Sequence, residues 1–357
     1  MTDPLVSVIV PIRNERHTIE RCLAALRAQD FPAERIEILV VDGASDDGTP
    51  AVVAECGAVD PRIRLLHNPA RHAAPAMNVG IAAARGDIIA RVDGHAIVPP
   101  EFLRRTVDAL QRRPDVECVS GALVTVGRTP TGRAIGAAMS SSAGVGSARF
   151  RTGAAHECLV DTVAFPVYRR ETLHRIGPFD EELVRNQDDE LNLRLTRSGG
   201  RILLLPDVRI IYFCQATLRG LWRQYRQYGF WKVRVIQKHG APASWRHLVP
   251  GAFVAAIGLT PTAALVPALQ PAAMLLLAAY ALFIAAASVP LAGRRGLLLM
   301  PRIAAALVTL HVAYGVGFWH GVATFGARRL QARALGGRAA RAPAVARASV
   351  QLRGGER

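Results

Sequence analysis

The 357-residue sequence has few aromatic residues and few cysteines. Aromatic residues make up 6% of the chain, which argues against a single-strand nucleic-acid binder, because such proteins stack bases on aromatic rings. The five cysteines are scattered and none lies in a CxxC spacing, so we expect reduced, packed thiols. A signal peptide is not evident before the first apolar run, and we expect the chain to begin in the cytoplasm.

Acidic residues and glycine-rich nucleotide motifs are also scarce. The chain has 28 Asp and Glu against 44 Lys and Arg, a net charge of +16, which suits a phosphorylated ligand or an anionic membrane. Nucleic acid is not the expected partner, because much of the arginine excess lies in the C-terminal tail beside apolar segments, where anionic lipid is the simpler partner. No GxGxxG follows the first strand-like run, which disfavours an NAD-dependent oxidoreductase.

Short β-branched runs alternate with helical periodicity over the first half of the chain. This alternation predicts an α/β fold with a parallel sheet, whose ligands bind at the carboxyl ends of the strands. The predicted strands are Leu5–Ile12, Ile36–Val41, Ile63–Leu66, Asp87–Val92, Val116–Val126, a run within Leu159–Tyr168, and Arg201–Leu205. The predicted helices are Thr18–Gln29, Ala74–Arg85, Pro100–Arg112, one opening at Asn186, and Leu218–Lys238. Between them, Thr129–Thr152 is rich in Gly, Ser and Ala and is interpreted as a long functional loop.

Two stretches carry candidate chemistry. The strand ending in Asp93-Gly94-His95 places residues i and i+2 on one side, so Asp93 and His95 could address one metal ion or phosphate; an ordinary Asp-Gly turn is the alternative. Farther along, Asp188, Asp189 and Glu190 open a predicted helix. The helix dipole favours acids there by roughly 0.3–1 kcal/mol each, but three in a row exceed what capping needs.

A long apolar region follows. No charged residue or histidine lies between His247 and Arg294, enough chain to cross a bilayer twice as helices, with a reversal at Gln270-Pro271. A third apolar stretch is Ile303–Phe325. It contains three glycines that permit close helix packing: Gly315, Gly317 and Gly321.

The charges around these segments give conflicting indications of how the segments are oriented in the membrane. Arg294, Arg295 and Arg302 indicate a cytoplasmic loop, in agreement with a cytoplasmic N-terminal domain. The tail after Phe325 is equally basic, although three crossings put it outside. Either the third segment is re-entrant or interfacial, or one of the first two does not span, or the tail departs from the charge rule.

Four stretches, taken in order, resemble glycosyltransferase family 2, most closely its membrane-bound bacterial succinoglycan-exopolysaccharide type. They are Val6–Glu15, Val40–Thr49, Arg91–His95 and Asn186–Arg194. The resemblance covers residues 5–235 and implies a GT-A fold, a Rossmann-like α/β nucleotide-diphospho-sugar transferase domain, followed by C-terminal transmembrane helices. It also implies inverting transfer of a sugar from a nucleotide-diphosphate donor to a saccharide acceptor. The apolar segments suggest that this acceptor is lipid-linked.

The resemblance also assigns donor residues and a metal motif. Asp93-Gly94-His95 stands at the family's Asp-x-Asp metal motif, where His95 departs from the pattern and suits Mn²⁺ better than Mg²⁺. The donor positions are Pro11, Arg13, Asn14, Glu15 and Asp42, with Asp42 facing the base, and Asn78 and Arg71 are candidates for the ribose or phosphate. A helix cap and a solvated base are the alternatives for that last pair.

The resemblance places the catalytic base at Asp188. Asp189 is its closest rival, and Gln187 replaces the family's first Glu. The Gln224–Trp231 segment resembles the family's downstream region but lacks Gln-x-x-Arg-Trp, which indicates one sugar per encounter. Its candidate acceptor and phosphate contacts are Gln224, Tyr228 and Trp231.

These expectations define four regions. They are a catalytic domain (1–235), an interfacial linker (236–248), a membrane region with two to three hydrophobic helices (249–325) and a basic, disordered tail (326–357). We expect a multi-pass inner-membrane protein with a cytoplasmic catalytic domain. The alternative function is a membrane-tethered nucleotide-sugar-binding protein without transfer activity.

Overall fold

The computed structural model describes residues 3–263, 265–293 and 296–339. Its strands form one sheet in the order β3-β2-β1-β4-β8-β6-β9-β5, with β7 also paired to β9. The strands are β1 (Val6–Ile12), β2 (Ile36–Asp42), β3 (Ile63–His67), β4 (Ile88–Arg91), β5 (Ala96–Ile97), β6 (Cys118–Val126), β7 (Cys158–Val160), β8 (Val167–Arg169) and β9 (Ile202–Phe213).

The sheet is mixed, so the prediction of a parallel sheet is only half right. β1, β2, β3 and β4 are parallel to one another, but β8 runs antiparallel between β4 and β6. Buried β-branched residues predict a strand, whereas its direction depends on the end of the sheet from which the preceding segment arrives. The GT-A architecture predicted from the sequence is confirmed.

Four α-helices between residues 19 and 112 pack around the sheet. They are α1 (Ile19–Arg27), α2 (Thr49–Val59), α3 (Ala73–Ala83) and α4 (Phe102–Arg112). α2 and α3 lie against the parallel strands, and α4 lies against β6, β8 and β9. α4 shows why such segments are helical: Phe102, Leu103, Val107 and Leu110 recur at helical spacing and are buried. The helices predicted at Thr18–Gln29, Ala74–Arg85 and Pro100–Arg112 are therefore confirmed, with ends shifted by one or two residues.

The predicted loop Thr129–Thr152 is wrong, because three helices occupy it: α5 (Pro130–Met139), α6 (Ser142–Val145) and α7 (Arg149–Thr152). The Thr129 hydroxyl caps α5 by accepting a hydrogen bond from the Gly132 amide, and Pro130 begins its first turn. Most of α5 is buried. Its small residues serve close packing, which composition alone does not distinguish from a loop.

Three further helices precede the C-terminal part of the chain. They are α8 (Arg170–Ile176), α9 (Gln187–Arg197) and α10 (Leu218–His239). α9 and α10 confirm the helices predicted at these positions. α9 follows Asn186, which adopts a left-handed conformation with φ 63°, a region that asparagine tolerates better than most residues.

The C-terminal part contains α11 (Val249–Gly258), α12 (Thr260–Ala263), α13 (Gln270–Gly293) and α14 (Met300–Ala339). Among the described residues, two segments are long and apolar enough to cross a membrane, 267–293 and 297–327. α11 rises only about 15 Å, half the hydrocarbon thickness. The helix is interrupted at Leu259, before α12, which favours the alternative in which one of the two segments between His247 and Arg294 does not span.

The two long helices differ in what surrounds them. α13 exposes large apolar side chains, with Met274, Leu275 and Leu282 about 70% exposed. α14 instead packs along α5 and α10, burying Ile303, Leu307 and Leu310. The third predicted apolar segment thus lies against the GT-A part of the chain for much of its length.

The predicted close packing at glycines of α14 is confirmed, with α10 and α11 as the partners. A Cβ on Gly317 would overlap the Arg226 carbonyl oxygen, and one on Gly321 would lie 2.6 Å from the Phe230 carbonyl oxygen. Gly315 meets Pro250 in the same way.

Part of the charge argument lies outside the described residues. Arg294, Arg295 and residues 340–357 are not described. α14 itself continues to Ala339, into the region predicted as a tail.

Candidate active site

A cavity of about 530 Å³ opens where β4 and α9 approach α10. It gathers residues that are far apart in the sequence. Six predicted site residues line it: Asp93, His95, Asp188, Asp189, Gln224 and Tyr228.

Asp93 and His95 reach this cavity from a turn rather than a strand. β4 ends at Arg91, and the Asp93 carbonyl accepts a hydrogen bond of 2.9 Å from the Ala96 amide. A Cβ on the intervening Gly94 would lie 2.6 Å from Ile12 of β1, so glycine is required for the close approach. The strand-alternation argument was therefore wrong, although both side chains do line one cavity.

Arg91 connects the two acidic motifs. Its buried guanidinium donates through Nε to Asp93 Oδ1 at 2.9 Å and through Nη1 to Asp188 Oδ1. Burial alone raises the pKa of Asp93, but Arg91 and His95 outweigh it and lower that pKa. The sequence analysis missed this role, although a charged residue inside a buried strand was the available signal.

Asp188 and Asp189 are adjacent but have opposite environments. Burial raises the pKa of Asp188 to about 6, helped by Asp93 and Asp189 and opposed by Arg91. Burial also acts to raise the pKa of Asp189, but its ion pair with Lys232 of α10 lowers it. Two neighbouring carboxylates whose pKa values are shifted in opposite directions are a frequent feature of catalytic sites.

His95 contacts Glu15 across the site. Nδ1 lies 2.7 Å from Glu15 Oε1, and this contact raises the pKa of His95 although burial acts to lower it. A histidine that gives its Nδ1 hydrogen to a carboxylate keeps Nε2 free, which is the arrangement that metal-ligating histidines usually have.

The donor set at this point is small. Among the residues that the structure describes, no group of three or more His, Cys, Asp or Glu side chains is arranged to hold a metal ion. Arg91 donates to Asp93 Oδ1. The other carboxylate oxygen, Oδ2, accepts no hydrogen bond from the described residues and is therefore available to a metal ion. Asp93 and His95 therefore fit a divalent ion that takes its other ligands from a phosphate-bearing substrate and water, as Mg²⁺ sites commonly do.

The predicted donor residues of β1 and β2 meet at neighbouring strand ends, where Ile12 pairs with Asp42. The Asn14 amide side chain exchanges hydrogen bonds with Asp46, and Asp42 accepts from the amide and hydroxyl of Ser45. Asn14 has φ 58°. Pro11 lies in β1 just before this turn. The loops that follow β1 and β2 form a compact polar surface at the carboxyl ends of these strands, which we call the ledge.

Arg13, Arg71 and Asn78 are placed differently. Arg13 Nη1 donates to the Arg71 carbonyl at 3.3 Å, beside that ledge. Asn78 lies inside α3 rather than at its cap, and its amide contacts Phe179 and Glu181. The structure does not bring Asn78 to the cavity.

The three candidate acceptor and phosphate residues of α10 do not all lie at the cavity. Gln224 Nε2 donates to the hydroxyls of Tyr212 and Tyr228, and its Oε1 is buried with no partner in the described part of the chain. Trp231 packs against Phe230 and Phe325, away from the cavity.

Arg151 of α7 is a cavity residue that the sequence analysis missed. Its guanidinium lies 5.3 Å from the centre of the Tyr212 ring, and Nη1 is buried without a partner among the described residues. The only signal was a basic residue at the end of the segment interpreted as a loop.

Three comparisons with known proteins bear on this site. Residues 7–177 match the model of the family described as Glycosyl transferase family 2. The chain is 30% identical over 326 residues to the succinoglycan biosynthesis protein ExoA of Rhizobium meliloti, covering 89% of this chain and 95% of that one. It is 27% identical over 240 residues to the dolichyl N-acetyl-alpha-D-glucosaminyl phosphate 3-beta-D-2,3-diacetamido-2,3-dideoxy-beta-D-glucuronosyltransferase of Methanococcus voltae, covering 65% of this chain and 74% of that one.

Among solved structures, the fold resembles the mannosyltransferase PcManGT of Pyrobaculum calidifontis, whose structure is a complex with GDP-Man and Mn²⁺. The TM-score is 0.53 at 25% identity, with 88% of each chain covered. The family match ends before Asp188, whereas the ExoA and PcManGT matches cover most of the chain.

Proposed function

Because the chain belongs to glycosyl transferase family 2 and is a glycosyltransferase, we propose that it transfers a sugar from a nucleotide diphosphate to a lipid-linked saccharide, with inversion at the anomeric carbon. The cavity that joins Asp188 to the Asp93–His95 turn carries this proposal. The similarity to a succinoglycan biosynthesis protein supports a place in exopolysaccharide synthesis.

Asp188 is the general base in this proposal. Its carboxylate takes the proton of the acceptor hydroxyl while that oxygen bonds to the anomeric carbon and the bond to the diphosphate breaks. A pKa of about 6 keeps most Asp188 ionised near neutrality and still basic enough to accept the proton. Asp189 is a poorer candidate because Lys232 lowers its pKa, whereas the pKa of Asp188 is raised despite its ion pair with Arg91.

The donor lies along the ledge formed by β1 and β2. Pro11, Asn14 and Asp42 face the nucleoside, since ligands of open α/β sheets bind at the carboxyl ends of the strands. Arg13 lies close enough to contribute, whereas the contacts of Asn78 favour a structural role.

Asp93 and His95 hold the divalent ion, and Glu15 orients the histidine. When bound, the ion neutralises the negative charge that develops on the diphosphate as it leaves. The Mn²⁺ in the similar mannosyltransferase structure supports this assignment. Imidazole ligation favours Mn²⁺ over Mg²⁺.

Membrane attachment follows from the apolar surface of α13. Exposed side chains such as Met274, Leu275 and Leu282 form a surface unsuited to water. We place α13 in the inner membrane, with the catalytic part on the cytoplasmic side and more than one segment in contact with the bilayer.

One experiment tests the reaction. Purified full-length protein is given a panel of nucleotide-sugars with Mn²⁺ or Mg²⁺ and a saccharide-lipid extract, and release of nucleoside diphosphate is measured. We expect release with one donor, dependent on the extract. The Asp188→Asn variant is expected to bind that donor and not transfer it.

The non-catalytic alternative gives a different result. A tethered binding protein retains a donor without consuming it, and its Asp188→Asn variant behaves as the wild type does. Donor binding without diphosphate release under all conditions would overturn the proposed function.

A further inference from the structure

A second cavity, of about 550 Å³, adjoins the first on the side of the C-terminal helices. The two cavities are continuous in their walls. They share six lining residues: Val145, Ala148, Phe150, Thr162, Asp189 and Tyr225. The shared residues place the second cavity directly beside the cavity that Asp188 lines.

The part of this cavity formed by α11, α13 and α14 is mainly apolar, and it also includes His311, whose ring lies in hydrogen-bond contact with Tyr280. Phe253 of α11, Tyr280 and Phe283 of α13 and Leu310 of α14 line it. The Phe253 and Tyr280 rings lie 4.4 Å apart. Since α13 exposes apolar side chains on its outer surface, this part of the cavity continues the surface that faces lipid.

The end nearer Asp189 is polar. Arg246, in a short 3₁₀ helix before α11, donates to Ser147 at 2.9 Å and to Asp161 at 2.6 Å. Its neighbour His247 is held neutral, because burial and Lys232 lower its pKa to about 3. Tyr314 of α14 lies on the same wall.

Unpaired polar atoms concentrate in these two cavities. In the second cavity, His247 Nδ1 and the Tyr314 hydroxyl are buried with no hydrogen-bond partner in the described ranges. The same holds for Arg151 Nη1 and Gln224 Oε1 in the first cavity. Buried polar atoms in native proteins nearly always have partners. Four such atoms around two adjoining cavities indicate a polar ligand.

We propose that the second cavity binds the acceptor's lipid carrier, with the chain between α11, α13 and α14 and a phosphate head group at Arg246, His247 and Tyr314. This rests on the proposed function and names the acceptor class, a phosphate-linked lipid. The order of the walls, apolar, then cationic and hydrogen-bonding, then catalytic, matches the order of chain, phosphate and sugar in such a molecule. A neutral glycolipid leaves the polar atoms without a charged partner.

Direct labelling tests the site. The full chain in phosphatidylcholine vesicles is irradiated with a diazirine-bearing hexadecyl phosphate, and labelled peptides are identified by mass spectrometry. We expect labels in 142–148 and 249–253, with competition by hexadecyl phosphate and not by hexadecanol or inorganic phosphate. Equal competition by hexadecanol, or labels spread only over α13, would overturn the proposal.

Two variants test the head-group contacts. Tyr314→Phe removes a hydroxyl that has no protein partner in the described part of the chain, so the fold loses no hydrogen bond. Arg246→Gln removes the cation. Each is expected to weaken hexadecyl phosphate binding about tenfold, the effect of one hydrogen bond to a charged group. Arg35→Gln, an exposed residue outside both cavities, is the matched control.

The outcomes separate the two proposals. Unchanged affinity in both variants, with normal transfer to the lipid acceptor, contradicts the lipid site and leaves the glycosyltransferase function intact. Weakened affinity in the variants, with no nucleotide-sugar consumed by the wild type, supports the site and contradicts the proposed reaction.

Discussion

Lys232 of α10 forms an ion pair with Asp189, the second acid of α9. Both side chains are largely removed from solvent, with 6% and 19% of their surfaces exposed. The preceding residue, Asp188, pairs instead with Arg91 at the end of β4. Both carboxylates line the active-site cavity, and that of Asp189 also ties two helices together.

Replacing each acid by asparagine should separate these roles. Asp188→Asn is expected to lower kcat between roughly a hundredfold and ten-thousandfold, the usual contribution of a general base, while the melting temperature stays the same or rises. Asp189→Asn leaves Lys232 buried without its counter-ion and should cost about 3–5 kcal/mol of stability. Diphosphate release and thermal unfolding in one detergent measure both. A stable Asp189→Asn variant that has lost all transfer reassigns the base to Asp189.

The raised pKa of Asp188 predicts the acid limb of the rate profile. A base works only when ionised, so transfer should be full above about pH 6 and fall as the pH drops through that value. The stability effect has the opposite sign. A carboxyl whose pKa is raised by folding stabilises the fold when it is protonated, so this group does not cause unfolding at lower pH.

Initial rates from about pH 5 to about pH 8 test this limb. Unfolding temperatures measured across the same range are the control. Rates that stay constant down to about pH 5 contradict the assignment, because an ordinary aspartate titrates near pH 4.

The sequence was informative where local chemistry determines local structure. The buried β-branched runs located β1, β2 and β4, and the acids ahead of an amphipathic pattern located α9. The choice of Asp188 within that run came from the family resemblance. Gly317 and Gly321 were correctly identified as close-packing positions, since no other residue lets two backbones approach so closely.

The errors arose where distant segments decide the structure. α5 looked like a loop because its small residues are explained only by the helix packed on it, α14. The role of Arg91 was missed because one of its two partners lies in the turn after its strand and the other lies 97 positions along the chain. The second cavity had no sequence signal, since α6, α11, α13 and α14 form it only together.

Metal selectivity provides a further prediction. If Glu15 fixes the tautomer of His95, then Glu15→Ala should weaken Mn²⁺ binding by about tenfold to a hundredfold, the usual effect of losing such a partner. His95→Asp should shift preference from Mn²⁺ toward Mg²⁺. Electron paramagnetic resonance of Mn²⁺ with nucleoside diphosphate present measures affinity without turnover. Wild-type Mn²⁺ affinity in Glu15→Ala would restrict Glu15 to a donor contact.

The packing of α14 on α10 can be tested with two glycines of the same helix. A Cβ on Gly317 overlaps the Arg226 carbonyl oxygen, whereas one on Gly326 meets nothing within 4 Å. Gly317→Ala should therefore destabilise the protein by about 1–3 kcal/mol through overpacking. Gly326→Ala should be neutral or stabilising, because alanine favours a helix by about 1 kcal/mol over glycine.

Activity extends this comparison, because α10 also carries Gln224, Tyr228 and Lys232. A shift of α10 in Gly317→Ala should reduce transfer as well as stability, and thermal unfolding with diphosphate release on both variants measures the pair of effects. Equal stability and equal activity in the two variants would mean that α14 does not pack on α10. In that case α14 crosses the bilayer as an independent helix, and its orientation is set by the basic residues that flank it.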